Sequence, residues 1–324
     1  MRIAIPLAAS LLTASLTAAQ AEEKPKQLVI ISFDGAHDNK LWLRSLEMSQ
    51  KTGAKFTYFL SCTYLMSPDE RHAYQGPHEK RGRSNTGFAQ TKEEVRERLG
   101  HIWAAHLAGH DIGSHACGHF DGRDWSKADW SHEFDDFDKT LLTAWKANDD
   151  AANEPQGWAE FVKTSIKGFR APYLSFGTSL VPALKAHGFR YDASLVSRGP
   201  AKPEDDGGLQ RFALPLIPEG PSGELVIGMD YNMFARHSKA KEDAVHAGEY
   251  EARALTAFRD AFNEQYNGSR VPLQLGFHFV AMNGGAYWNA LETFLTEACG
   301  KPDVACVNYA QATEMGKSGD RSAF

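Results

Sequence analysis

Short apolar runs alternate with longer stretches of helical periodicity along most of this chain. Runs that are continuous, rich in β-branched residues and closed by Gly, Pro or polar residues predict strands. They fall at 28–34, 55–61, 111–115, 167–171, 190–194, 212–217, 224–231, 272–279 and 304–308. Segments with apolar residues at helical spacing predict helices over 39–52, 92–108, 127–148, 157–165, 177–187, 247–266 and 285–298. Thr91 with Glu94 three residues later forms a capping-box pattern, and Gly109 is the matching stop. Strand–helix alternation predicts parallel strands joined by crossover helices. No repeat and no Gly/Ser- or Pro-rich linker divides the chain, so a single α/β domain is expected, a barrel or distorted barrel.

Two segments break the rhythm. Residues 62–91 are polar and Gly-rich and carry Tyr64, Tyr74 and Phe88; residues 196–211 hold Pro200, Pro203, Gly207 and Gly208. Loops this long in a compact domain are usually functional or mobile. The first follows a strand and precedes a helix, which puts it on the C-terminal face of the sheet. Its aromatic residues either stack on a sugar ring or pin the loop to the domain.

Composition narrows the class. With 324 residues, 42% hydrophobic and 23% charged, the chain can bury a sizeable core. A net charge of -6 and the lack of a basic stripe beyond Lys80-Arg81-Gly82-Arg83 argue against a nucleic-acid partner. Arg2, the small apolar run Ile3 to Ala19 and the Ala19-Gln20-Ala21 site read as a signal peptide over residues 1–21. No later stretch is long and apolar enough to span a bilayer. An exported protein, periplasmic or secreted, is therefore expected. Such a compartment permits disulfides among the four cysteines. Cys299 and Cys306 flank a short turn and suit a local bridge, yet four cysteines allow three pairings and spacing does not choose.

Candidate chemistry sits at strand ends. Asp34 closes Leu28-Val29-Ile30-Ile31-Ser32-Phe33, a position where α/β barrels collect reactive groups. His115 and His119, four apart with small residues between, could hold one divalent metal. His106 and His110 share that spacing but lie along a helix and into its end, among 13 histidines in all. Arg170, before Ala171-Pro172-Tyr173, could fix a carboxylate through a bidentate pair. His278 ends the apolar strand Leu273-Gln274-Leu275-Gly276-Phe277. A carboxylate, two imidazoles, an arginine and a separate histidine together suit a metal-assisted hydrolase with one base and one acid.

These residues occur as FDGAHD at 33–38, GHDIGSHACGH at 109–119, GFRAPY at 168–173, YDAS at 191–194 and LGFH at 275–278. In that order the chain resembles the polysaccharide deacetylases of carbohydrate esterase family 4, the NodB-homology fold, and within them the chitin-deacetylase-like branch. The likeness runs from about residue 28 to 315 and implies a deacetylase domain over 22–324, folded as a distorted (β/α) barrel. It implies hydrolysis of N-acetyl or O-acetyl groups on a polysaccharide or oligosaccharide, with a divalent metal, usually Zn2+. Cobalt, nickel and manganese suit such ligands too. By resemblance Asp34 is the general base, Arg170 orients it, and His278 is the general acid. His115 and His119 are metal ligands, and the Tyr173 N–H is an oxyanion donor. Leu275 is expected to line the pocket for the acetyl methyl, and Tyr64 to meet the substrate.

One departure stands beside the base. The family has a second aspartate there as third metal ligand, whereas this chain has Gly35. Asp38 is the expected replacement, since it restores a hard carboxylate; His37 is the alternative. Asp230 is a candidate partner for His278, the other reading being a turn or cap. If the second and third strands are neighbours, a Cys62–Cys117 bridge follows. A non-catalytic carbohydrate-binding protein with a degenerate site is the competing reading. A zinc peptidase is disfavoured by the lack of H-E-x-x-H.

Overall fold

The computed structural model describes residues 24–317. The signal-peptide expectation for residues 1–21 lies outside the described residues. In chain order the elements are β1 (Gln27–Asp34), α1 (Asn39–Thr52), β2 (Thr57–Leu60), α2 (Lys92–Leu107), β3 (Asp111–Ser114), α3 (Lys127–Ala147), α4 (Trp158–Thr164), β4 (Gly168–Phe169) and α5 (Leu180–His187). They continue with β5 (Tyr191–Ser197), β6 (Glu204–Asp206), β7 (Leu209–Glu219), β8 (Glu224–Ile227), α6 (Asp230–Ser238), α7 (Ala247–Asn267), β9 (Leu273–His278), α8 (Met282–Cys299), β10 (Val304–Val307) and α9 (Tyr309–Lys317).

The sheet runs β10–β1–β2–β3–β4–β5–β7–β6, with β9 also on β1 and β8 on β7. Every pairing is parallel except those of β6 and β8 with β7. The sheet curls into a distorted barrel in a single α/β domain. A bridge between Met229 and Gly276 joins the short segment after β8 to β9.

β1 shows how the sequence builds this. All eight of its residues are buried. Side chains alternate across a strand, so Val29, Ile31 and Phe33 pack outward against the helices. Leu28 and Ile30 point inward, against Phe59, Tyr191, Phe212 and Tyr309. Ser32 and Asp34 continue that inward face. The barrel interior is therefore apolar at the bottom and polar at the C-terminal mouth. Fully burying each such apolar side chain contributes roughly 1.5–3 kcal/mol, which the two polar residues forgo.

Register sets the site. Asp34 lies beside His278 on one edge and Phe59 on the other. Leu60 pairs with Ser114, and Ser114 with Phe169. His115, Arg170, Asp34 and His278 thus emerge at one end of adjoining parallel strands.

The structure departs from the sequence reading at several elements. The strand expected over 224–231 stops at Ile227, and α6 begins three residues later. β6 and α9 were not foreseen. The 62–91 segment holds short 3-10 turns at Cys62–Leu65 and Arg71–Ala73. Disulfides join Cys62 to Cys117 and Cys299 to Cys306. The first ties that long segment to the loop carrying His115 and His119.

Candidate active site

The strand ends open into a cleft of about 460 Å³ lined by Asp34, His37, Tyr64, His115, His119, Tyr173, Met229, Tyr231 and His278, among others. Asp34 sits at its floor, 4% exposed. Arg170 Nη1 donates to Asp34 Oδ1 at 2.8 Å and to Ser32 Oγ at 2.8 Å. The rest of the guanidinium is used as well: Nε donates to Ala193 O and Nη2 to the Tyr309 hydroxyl. Phe59 lies under its plane at 4.5 Å. Burial pushes the Asp34 carboxyl up, but the Arg170 charge, with His115 and His278, outweighs it and holds Asp34 below the usual carboxylate range.

His278 faces Asp34 across β1 and β9. Its Nδ1 is 2.7 Å from Asp230 Oδ1, and its backbone N–H donates to Asp230 Oδ2 at 2.8 Å. The foreseen Asp230 partner is thus in place, at the first turn of α6. Burial pulls the His278 imidazole down, yet Asp230 outweighs it and raises its pKa. With Nδ1 on Asp230, Nε2 is left for the cleft.

His115 and His119 are neighbours, ring centroids 5.0 Å apart at 68°. His115 Nδ1 lies 2.8 Å from the Arg170 carbonyl. A carbonyl only accepts, so Nδ1 carries the proton and Nε2 keeps its lone pair. His119 Nδ1 is buried without a partner. Burial lowers both imidazoles, His119 to about 3, so both are neutral at pH 7. Their loop is firmly anchored. Glu133 accepts the Cys117 N–H at 2.9 Å, the Tyr74 hydroxyl accepts the Gly118 N–H at 2.9 Å, and Tyr74 donates to Glu133 at 2.6 Å. Ala116 and His119 sit at φ 57° and 54° within it, and Tyr173 and Leu174 at 57° and 53° across the cleft. Left-handed non-glycine residues cost about 1–3 kcal/mol each and cluster at functional sites. The Tyr173 N–H takes no intramolecular partner among the described residues.

Two expected residues are elsewhere. Asp38 is the N-cap of α1, its Oδ1 accepting the Leu41 N–H at 2.9 Å, and it does not line the cleft. The capping bond satisfies an otherwise orphan helix donor and takes the carboxylate away from the imidazoles. His37 lines the cleft instead, stacked on Tyr64 at 4.6 Å with Nδ1 near the Gly35 carbonyl. Gly35 itself is left-handed at φ 70°. Among the described residues no three His, Cys, Asp or Glu side chains gather as a metal site. Tyr64 does reach the cleft, whereas Tyr74 is buried.

Leu275 is the second correction. It is fully buried with Leu273 and Phe277 on the helix-facing side of β9, away from the cleft. The inward position below His278 is Gly276, which has no side chain. Met229 fills that space: a Cβ on Gly276 would lie 2.9 Å from the Met229 methyl. Met229 and Ile227 line the cleft there. The sequence reading missed Met229, although Met229, Met233 and Phe234 carry the helical spacing that announces α6.

The fold and strand-end cleft define an α/β barrel with a candidate site at the C-terminal mouth of its sheet. Residues 21–191, just over half of the chain, match the family model for polysaccharide deacetylase, and the chain belongs to that family of deacetylase hydrolases. Among solved structures it is similar to a Mycobacterium smegmatis protein classed with the polysaccharide deacetylases, at 17% identity, TM-score 0.55 and 92% coverage of each chain. A Pseudomonas aeruginosa PAO1 protein of the same class matches at 12% identity and TM-score 0.52, covering 92% of this chain and 93% of that one. Puue Allantoinase matches at 12% identity and TM-score 0.51, covering 96% and 99%. At these identities the likeness establishes the fold alone. No curated protein sequence matches this chain.

Proposed function

We propose that the protein is a metal-assisted deacetylase that removes N-acetyl or O-acetyl groups from a glycan. The carrying observation is the opposition of Asp34 and His278 in one cleft, each beside its own counter-charge. Asp34, kept ionised by Arg170, takes a proton from the attacking water. Water oxygen bonds to the acyl carbon, and the carbonyl oxygen becomes an oxyanion facing the Tyr173 N–H. His278, its pKa raised by Asp230, gives its Nε2 proton to the leaving amine or alkoxide as the acyl bond breaks. Acetate and the free amino or hydroxyl sugar result. The acyl methyl is directed at the Met229 and Ile227 surface.

The donor set fits a divalent metal held by two imidazoles. His115 Nε2 has a lone pair, and His119 Nδ1 is a buried atom lacking a partner. When bound, such an ion, Zn2+ being the family's usual choice, would polarise the acyl oxygen and the water. Among the described residues no third His, Cys, Asp or Glu joins the set. Export fits the leader-like residues 1–21 and the two disulfides; no helix among the described residues is long and apolar enough to cross a membrane.

Incubating the purified protein with chitooligosaccharides, peptidoglycan fragments and acetylated xylan, with and without added Zn2+, tests this. Metal-stimulated acetate release is the expected result. Glycan binding with no acetate release under any metal would favour the competing reading, a carbohydrate-binding protein, which Gly35 and the missing third ligand support.

A further inference from the structure

A buried arginine beside a carboxylate frequently grips it with both limbs of its fork. Arg170 does not. Only Nη1 reaches Asp34, and only Oδ1 receives its bond, at 2.8 Å. Asp34 Oδ2 accepts no hydrogen bond among the described residues, on a carboxylate that lines the cleft. The other limb, Nη2, is drawn off to the Tyr309 hydroxyl at 3.0 Å.

Tyr309 comes from a part of the chain that carries none of the other site residues. It is the first residue of α9, just after β10, and lies beyond the residues that the family model matches. The helix start is pinned: Asn308 and Gln311 exchange hydrogen bonds at 3.1 and 2.8 Å, and the Tyr309 N–H donates to Thr57 Oγ1 at 3.0 Å. The side chain is fully buried in the barrel interior. Its ring stacks on Tyr191 at 5.5 Å and meets Phe212 edge-on at 4.9 Å. Its hydroxyl donates to Gln274 Oε1 at 3.1 Å, which leaves a lone pair for Arg170. Helix start, ring and hydroxyl proton are each held by a different partner, so the acceptor offered to Nη2 is a fixed point. A buried donor on a charged group is costly to leave without an acceptor. Were the hydroxyl absent, Asp34 Oδ2 would be an open acceptor on the carboxylate that Nη1 already holds.

We propose that Tyr309 is a positioning residue for Asp34. By engaging Nη2 it limits Arg170 to one bond with the carboxylate, on Oδ1, and keeps Oδ2 open to take the proton of the attacking water. The proposal rests on the reading of Asp34 as the general base of a deacetylase.

Tyr309→Phe removes the hydroxyl and keeps the ring, and a crystal structure of that variant tests the positioning without turnover. Arg170 should be found turned onto both Asp34 oxygens. On chitooligosaccharide or acetylated xylan, whichever the parent hydrolyses, kcat should fall about tenfold, a part of what general-base catalysis contributes, while KM stays unchanged. Tyr191→Phe is the control. It removes a hydroxyl from the neighbouring ring, one that serves Asp111 rather than Arg170, and should leave kcat as it is. On an Arg170→Lys background, which has no second limb, Tyr309→Phe should cost nothing further. An Arg170 that keeps its single bond to Asp34 in the Tyr309→Phe crystal would overturn the proposal. So would a kcat equal to the parent's, a loss carried by KM alone, or an equal loss in Tyr191→Phe. If Arg170 turns but the parent releases no acetate, the positioning stands and the deacetylase reading falls.

Discussion

Two pairs of side chains meet in the cleft and are held in opposite ways. Asp34 and His278 each have a buried partner of opposite charge, Arg170 and Asp230. His115 has only a carbonyl oxygen, and His119 Nδ1 has nothing. The charged partners push Asp34 down and His278 up, so Asp34 stays ionised at neutrality and His278 keeps its proton to higher pH than a free imidazole. Burial is the largest influence on His115 and His119, and it outweighs the Asp34 charge to lower both imidazoles. Proton-transfer groups need a fixed charge state, whereas metal ligands need a neutral, unoccupied nitrogen. The first pair is complete within the protein. The second, on the proposed function, would be completed from outside it.

Removing a counter-charge from the first pair should have the largest effect. Arg170→Met leaves Asp34 buried without its cation, and breaking such a pair costs about 3–5 kcal/mol. Denaturant unfolding at pH 7 should show that loss. The sign follows from linkage. A depressed carboxylate stabilises above its unfolded pKa, and that contribution disappears as pH falls through the folded one. The variant's deficit should therefore shrink toward acid pH. Asp34→Asn combined with Arg170→Met should recover part of the stability, since the stranded charge is gone. Equal deficits at pH 7 and at acid pH would show that the pair is not the source.

Asp230→Asn tests the other half with a smaller change. Asparagine keeps the shape and can still accept the His278 backbone N–H, but it loses the charge that raises the imidazole. An acid catalyst works while protonated, so activity falls as pH rises through its pKa. The alkaline limb of kcat/KM should move to lower pH, with about a tenfold loss above it for each unit moved. The acid limb, which the proposed mechanism assigns to Asp34, should stay. A pH profile superimposable on that of the parent would dissolve the parallel between the two pairs.

Much of this arrangement was legible. β1 announces itself as a continuous apolar run, and strand-end reasoning gathers Asp34, His115, Arg170 and His278 correctly. Adjacent β2 and β3 made the Cys62–Cys117 bridge readable. The failures have physical causes. Leu275 is an odd number of residues from His278, so strand parity sends it to the opposite face; Gly276 shares the His278 face and is filled from another segment, which no local pattern reveals. α6 was swallowed by a strand because Leu225, Val226 and Ile227 run on toward Met229 without a clear break. The sheet ends there because the Gly228 carbonyl turns to Gly276 and Asp230 opens a helix. Asp38 was read for its charge, although an Asp just before a helical run is first an N-cap.

That last point gives the smallest and most discriminating test. As a cap, Asp38 contributes about 1 kcal/mol, so Asp38→Ala should lower unfolding stability by that much and Asp38→Ser should restore most of it. As a ligand it would matter to metal and little to the helix. Zinc affinity measured by competition with a chelating dye should therefore be the same in Asp38→Ala and the parent, while His115→Ala loses it. A cap has one oxygen tied to the Leu41 N–H, and a metal would have to draw that oxygen away. A drop in zinc affinity of tenfold or more in Asp38→Ala, with Asp38→Ser failing to restore it, would mean that the imidazole pair recruits a carboxylate by opening the first turn of α1. The two pairs in the cleft would then no longer differ in kind, because both would be finished from within the chain.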